Sequence, residues 1–406
     1  MRRRLQELFR ENSSYKVFFL TIIITGLSYG IYKGLIDNYL AEFVEMREFD
    51  RGVAEFFREL PGLLLVFILA VFYTFSAEKM YKIGAVIMLA GMGMLAVVPS
   101  TKILVTAAIF IHSLGEHIQL GMKNTLTLNY AKEGKGGTAL GHQNAVNQVG
   151  TLAGYLVVIG TFAFLRRAAS APGGAGFRAP YRTFFVISAL ILAVSALLSM
   201  RIAGESRTDE TKRRFYFRKK FYKYYMLEVF YGARKQVFFT FGPYVLILFY
   251  GASAMVISIL FAVSAVCSYI FAPLVGRIID RFGYKIVMIS DTLILVIVCF
   301  FYGFAHHLFP MNIAFLICCV NYVLDSIISL ASMASNVYVQ DISDNPDEMR
   351  ATISTGVSVN HMITILIALF GGWIWQTVGI ETLFMLSAAL GLANSAYAAT
   401  IKSRKR

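Results

Sequence analysis

Charge is scarce in this sequence: 15% of its 406 residues are Asp, Glu, Lys or Arg, against about 25% in soluble domains. Too little polar surface exists to clothe a folded chain of this size in water. An ordinary cytoplasmic enzyme and a charge-rich disordered chain are both excluded. Cysteine is scarce too. The four residues, Cys267, Cys299, Cys318 and Cys319, all sit inside apolar runs. That excludes a disulfide scaffold and any zinc spacing, and reads as buried free thiols. No phosphate-cradling GxxxxGK[ST] occurs, so no ATPase is expected within the chain. No nucleophile triad or metal-binding helix is visible, and Gly91-Met92-Gly93 lies in an apolar helix with no strand before it. The expectation is no enzyme, no cofactor and no metal.

What is present is apolar. Hydrophobic residues make up 57% of the chain, with 34 Phe and 22 Tyr. A helix needs about 20 apolar residues to cross a bilayer. On that rule the chain holds about twelve spans, near 16–40, 53–76, 81–98, 103–129, 138–165, 181–200, 224–250, 252–275, 286–304, 311–339, 351–377 and 380–400. Membrane strands would alternate in short segments, which these runs do not.

The net charge of +14 is mostly a topology signal. With the N-terminus inside, the cytoplasmic segments hold 26 Lys and Arg against 8 outside. Both termini are therefore expected in the cytoplasm of a cell (plasma or inner) membrane. The partners implied are a lipid bilayer and a small-molecule substrate, with no nucleic acid, and the chain is expected as a monomer. The outer segment 166–180 is the exception, basic yet outside; its Gly, Ala and Pro read as an exposed loop.

The longest cytoplasmic connection splits the spans into six and six. The expected organisation is a six-helix bundle over 1–200, a basic linker over 201–223 and a second bundle over 224–406. Fragments repeat at equivalent places. Tyr29-Gly30-Ile31-Tyr32-Lys33 in span 1 matches Tyr231-Gly232-Ala233-Arg234-Lys235 in span 7. Val146-Asn147-Gln148 in span 5 matches Val359-Asn360-His361 in span 11. Parallel repeats of this kind are a transporter architecture.

The loop after span 8 reads Gly276-Arg277-Ile278-Ile279-Asp280-Arg281-Phe282-Gly283-Tyr284-Lys285. Here the sequence resembles the major facilitator superfamily, whose signature loop Gly276, Asp280, Arg281, Gly283 and Lys285 match. The family's usual first-half copy is absent from Ser76–Lys82, which lacks both glycines. The resemblance implies an all-α membrane protein of about twelve helices in two pseudo-symmetric six-helix bundles. It also implies that the loop acts as a gate, with Asp280 facing the start of span 11 near Arg350, and that spans 1, 4, 7 and 10 line a central cavity.

Ionisable residues inside spans are costly and mark function. This chain places most of them on those four spans: Lys33 and Asp37; His112, Glu116, His117 and Lys123; Glu228, Arg234 and Lys235; Asp325. Asp291, near the inner end of span 9, is the exception. Glu116 and Asp325 each lie 14 residues into their span, roughly 21 Å along it, and form a matched pair of acids. With His112, four residues before Glu116, they are the candidates for carrying a proton. His112 and Glu116 read equally well as a structural pair. The repeat-matched Lys33 and Lys235, with Arg234, Tyr29, Tyr231, Asn147 and Asn360, are the candidates for binding substrate. Lys33 with Asp37 reads equally as an internal ion pair, whereas Arg234 and Lys235 look less neutralised. Basic residues on spans 1 and 7 resemble those of the family's organophosphate and organic-anion branches, which implies an anionic or zwitterionic substrate, an organic anion among them.

The function expected is secondary active transport of a small solute by alternating access, proton-coupled. The alternatives are a drug or lipid efflux pump, a nutrient sensor that binds without transporting, and a lipid-modifying enzyme built on His112, Glu116 or His306–His307.

Overall fold

The computed structural model describes residues 8–10, 14–72, 74–133, 135–169, 180–203 and 217–401. Most of the basic outer loop, including Arg178, and the middle of the basic linker lie outside the described residues. The described chain is helical: α1 (Tyr15–Glu42), α2 (Glu48–Val71), α3 (Ala77–Val97), α4 (Lys102–Tyr130), α5 (Gly136–Ala169), α6 (Tyr181–Met200), α7 (Tyr222–Leu248), α8 (Ala254–Phe282), α9 (Tyr284–Leu308), α10 (Met311–Ile328), α11 (Met333–Ile342), α12 (Pro346–Thr377) and α13 (Ile380–Ala399). A 3-10 turn, Ser329–Ser332, joins α10 to α11, so those two form the tenth span. Another, Lys219–Phe221, leads into α7.

Ten of the twelve spans are long and apolar enough to cross a membrane. The other two are α2, with six charged residues between Glu48 and Glu59, and α7, with Lys223, Glu228, Arg234 and Lys235. Polar burial explains both, as the site below shows. Two boundaries differ from the sequence expectation. Span 2 begins at Glu48 and not at 53, and α8 runs on through Gly276, Asp280 and Arg281 to Phe282.

The helices gather into two compact units. One comprises Met1–Val44, Leu64–Lys212 and Ser253–Ala262, and the other Glu45–Leu63, Arg213–Ala252 and Val263–Arg406. The first half thus lends part of α2 to the second unit, and the second half lends the start of α8 to the first. Within the first unit, α1 packs on α5 and α6, and α3 on α4 and α6. Within the second, α7 packs on α12 and α13, and α9 on α10 and α13. The pairing is the same in both, as a sequence repeat requires.

The repeat is visible at residue level. A Cβ on Gly30 would stand 2.1 Å from the Thr151 carbonyl oxygen of α5, and one on Gly154 would stand 2.4 Å from that of Leu27. Gly26–Gly30 and Gly150–Gly154 are both GxxxG pairs, which let two membrane helices touch along their backbones. The matched Gly232 lies against Asn360 and Ile363 of α12. The outward faces are apolar. On α6, Leu190, Val194 and Leu197 are exposed one turn apart, as a lipid-facing stripe should be. The four cysteines are free, with Cys299 and Cys318 buried.

Candidate functional site

The densest polar cluster on the predicted spans belongs to α7 and its neighbours in the second unit. Arg234 is 2% exposed, and its guanidinium meets Asp291 of α9 at 2.7 Å. Asp291 is steadied by the Thr292 hydroxyl at 3.2 Å. The expectation that Arg234 is less neutralised than Lys33 is therefore corrected. Its acid comes from another helix, 57 residues away in sequence, where helical spacing cannot reveal it. Removing either member would strand a buried charge. Lys235, the next residue, is exposed, and its ammonium lies 6.0 Å from the Tyr231 ring, which the Arg234 guanidinium also approaches at 5.0 Å.

Tyr231 itself donates its hydroxyl to the Ser329 carbonyl at 2.9 Å. That carbonyl belongs to the 3-10 turn that breaks the tenth span. Broken membrane helices free backbone groups that must find partners, and Tyr231 supplies one. The break starts one turn beyond Asp325, whose carbonyl accepts from Ser329 N–H. The Asp325 carboxylate is partly exposed and lies within the electrostatic reach of both Arg234 and Lys235. Around it sit an arginine already held by Asp291 and an exposed lysine.

Below this, Glu228 ties three helices. It accepts from Ser335 of α11 at 2.9 Å and from Asn360 of α12 at 3.3 Å. Asn360 therefore joins helices in this structure, and Ser335 does the same.

In the first unit the candidates are also paired. Lys33 meets Asp37 at 3.2 Å, with Asp37 buried, and its ammonium lies 5.2 Å from the Phe261 ring. The internal-pair reading of Lys33 holds. Lys123 donates to Asn147 at 3.4 Å and stands in the field of Glu116. Glu116 is half-buried. His112 Nδ1 donates to the Met88 carbonyl of α3 at 3.0 Å and its ring lies 4.8 Å from that of Tyr32. The imidazole thus ties α4 to α3 and α1. Tyr29 is half-buried on α1. His117 bonds back to Ser113 at 3.1 Å.

One cluster escaped sequence reasoning. The start of α2 carries a buried ionic network within the second unit, and three of its members, Glu55, Arg58 and Glu59, lie inside the span expected over 53–76. Glu55, fully buried, meets Arg51 at 2.8 Å and Arg58 at 2.6 Å. Gln236 of α7 donates to it at 3.1 Å. Arg58 also pairs with Glu59, which accepts from His361 of α12 at 2.9 Å. Two arginines balance two glutamates. The available signal was the i, i+3, i+4 spacing of Arg51, Glu55, Arg58 and Glu59.

The signature loop is shorter than expected. Gly276, Asp280 and Arg281 are helical and the junction is Gly283 alone, with φ +84°, a left-handed backbone natural only to glycine. Gly276 faces open space and makes no turn. Lys285 donates to the Ile401 carbonyl at 3.0 Å. Asp280 and Arg281 are exposed. The start of α12, where Asp280 was expected, is occupied by other partners. Asn345 caps Glu348 N–H at 2.8 Å, while Arg218 and Lys220 reach Glu348 at 3.5 and 3.2 Å.

The sequence profile of the Major Facilitator Superfamily matches residues 224–406. No curated protein matches the chain in sequence. Among solved structures, the nucleoside transporter NupG is similar at 16% identity and a TM-score of 0.71, covering 96% of this chain and 99% of that one. A D-xylose–proton symporter is similar at 16% and 0.70, covering 96% and 98%. A POT family transporter in complex with 5-aminolevulinic acid is similar at 11% and 0.71, covering 94% of each. These likenesses span both halves, while the profile covers the second. The second half of the chain thus resembles the Major Facilitator Superfamily in sequence, and the whole chain resembles these solved transporters in fold.

Proposed function

We propose that this chain is a secondary transporter that moves a small polar solute, neutral or zwitterionic, by alternating access, with Asp325 as the group that carries a coupled proton. The observation that carries the substrate class is the pairing of the cations. An organic anion needs free basic groups, yet Lys33 is bonded to Asp37 and Arg234 to Asp291. Lys235 remains as the exposed cation of the α7 cluster. One ammonium beside one carboxylate, Asp325, with the Tyr231 ring between turns of the same helix, suits hydroxyls or a zwitterion. Nucleosides and D-xylose, named for two proteins of similar fold, are neutral, and 5-aminolevulinic acid bears one charge of each sign. Those likenesses support the reading without fixing the substrate.

Asp325 is favoured over Glu116 for the proton because it lies one turn before the break in the tenth span, next to the turn that Tyr231 holds, whereas Glu116 lies inside the unbroken α4. Transport in proteoliposomes tests this. A pH gradient should drive uptake of a nucleoside, pentose or zwitterionic amino acid. Asp325→Asn should abolish accumulation while leaving solute exchange at zero gradient. Uptake confined to organic anions and lost in Lys235→Ala would overturn the substrate class. Accumulation surviving Asp325→Asn would overturn the proton assignment.

A further inference from the structure

Two histidines close α9, and a glutamate stands in the first turn of α13. Their side chains converge on one oxygen. His307 Nε2 lies 2.8 Å from Glu381 Oε1, and His306 Nε2 lies 3.3 Å from the same atom. The two imidazole rings are centred 3.9 Å apart. One ligand atom from each of the three residues falls within 4.8 Å of the others. Consecutive helical residues leave the axis about 100° apart, so two neighbouring rings meet only when both turn toward a common point.

The backbone around the cluster favours that arrangement. Gly379 adopts φ +126°, and a Cβ there would sit 2.8 Å from Glu381 Oε2. Glycine is what lets the carboxylate fold back over its own helix start. His306 is backed by the Phe249 ring at 4.6 Å, which limits its rotation. The last turn of a helix also attracts positive charge. His307 is 57% exposed, so the cluster opens to solvent.

Two imidazole nitrogens and one carboxylate oxygen form a donor set that zinc uses when it keeps a position open. Calcium and magnesium take oxygen ligands and are poorly served by it. We infer that His306, His307 and Glu381 form a binding site for a divalent transition-metal ion of zinc-like chemistry, with water completing its shell. The bound ion ties the end of α9 to the start of α13. The inference does not depend on the transport reading.

The test uses the full chain purified in detergent without a polyhistidine tag. Co2+ is added as the probe, followed by Zn2+ as competitor. One Co2+ per chain should bind, with the visible absorption of a low-symmetry site, and Zn2+ should displace it. His307→Ala and Glu381→Gln should each weaken Zn2+ binding at least tenfold in calorimetry. His142→Ala, whose ring packs 5.4 Å from that of Phe19, should leave it unchanged. X-ray absorption of the Zn2+-loaded wild type needs no variant to fold. It should report nitrogen and oxygen at about 2.0–2.1 Å. Sulfur in the zinc shell, absence of one-to-one binding, or unchanged affinity in the paired His306→Ala, His307→Ala variant would overturn the assignment.

Discussion

At the scale of single residues, what matters is which buried charges have partners. Asp291→Asn leaves the Arg234 guanidinium buried without its anion, and should destabilise the protein by about 3–5 kcal/mol. Replacing both partners, Arg234→Met with Asp291→Leu, should recover most of that loss. Thermal unfolding in detergent measures both. Tyr231→Phe removes the donor to the Ser329 carbonyl and should cost about 1 kcal/mol. Sequence reading located these positions because charge in an apolar chain is conspicuous. It could not find their partners, since Asp291 and Arg234 meet across two helices. It missed Arg51, Glu55, Arg58 and Glu59 because their charges sit at the start of a span whose later residues are apolar, where they look like a solvated end.

At the scale of elements, the contacts divide into backbone seams and polar staples. Gly30→Val forces side-chain atoms into the α5 backbone, where a Cβ alone would stand 2.1 Å from the Thr151 oxygen. Overpacking of that kind costs about 1–3 kcal/mol, and should appear as a lowered unfolding temperature and reduced yield of folded protein. The start of α12 is held instead by charge. Lys220 meets Asp344 at 2.7 Å and Glu348 at 3.2 Å. The Asp344 hydrogen bond, with Glu348 behind it, raises the Lys220 ammonium above its usual range. A raised lysine contributes its stability below its ordinary titration range and loses it as pH climbs through the shifted value. Lys220→Ala should therefore be mildly destabilising at pH 7, and the difference from wild type should vanish in strongly alkaline buffer. Exposed pairs are weak, roughly 0.2–1 kcal/mol, so salt should also narrow the gap. The helices themselves were legible in the sequence through hydropathy. The extension of α8 through Asp280 was not, because charged residues can continue a helix past the membrane surface and hydropathy cannot follow them.

At the scale of the whole molecule, the chain's two compact units each repeat one pattern of helix pairing. The sequence announced this through two short matched fragments, and the glycines of the first fragment now have matched contacts on α5 and α12. Membership of the units was hidden, since nothing in residues 45–63 or 253–262 signals that they pack with the other half. Orientation is open to direct test. In a cysteine-free variant, Thr101→Cys should react with a membrane-impermeant maleimide in intact cells. Lys132→Cys should react only after the membrane is opened. The reverse pattern would invert the topology that the basic residues imply.

The break in the tenth span carries a mechanical implication. A 3-10 turn advances about 2.0 Å and 120° per residue, an α-helix about 1.5 Å and 100°. Four residues, Ser329–Ser332, are wound the tighter way. Rewinding them as α-helix would shorten the span by roughly 2 Å and swivel α11 by roughly 80° about its own axis. Such a swivel would carry Ser335, and with it the Glu228 bond, away from α7. The Tyr231 hydroxyl, on the Ser329 carbonyl at 2.9 Å, bonds the turn as it is now wound.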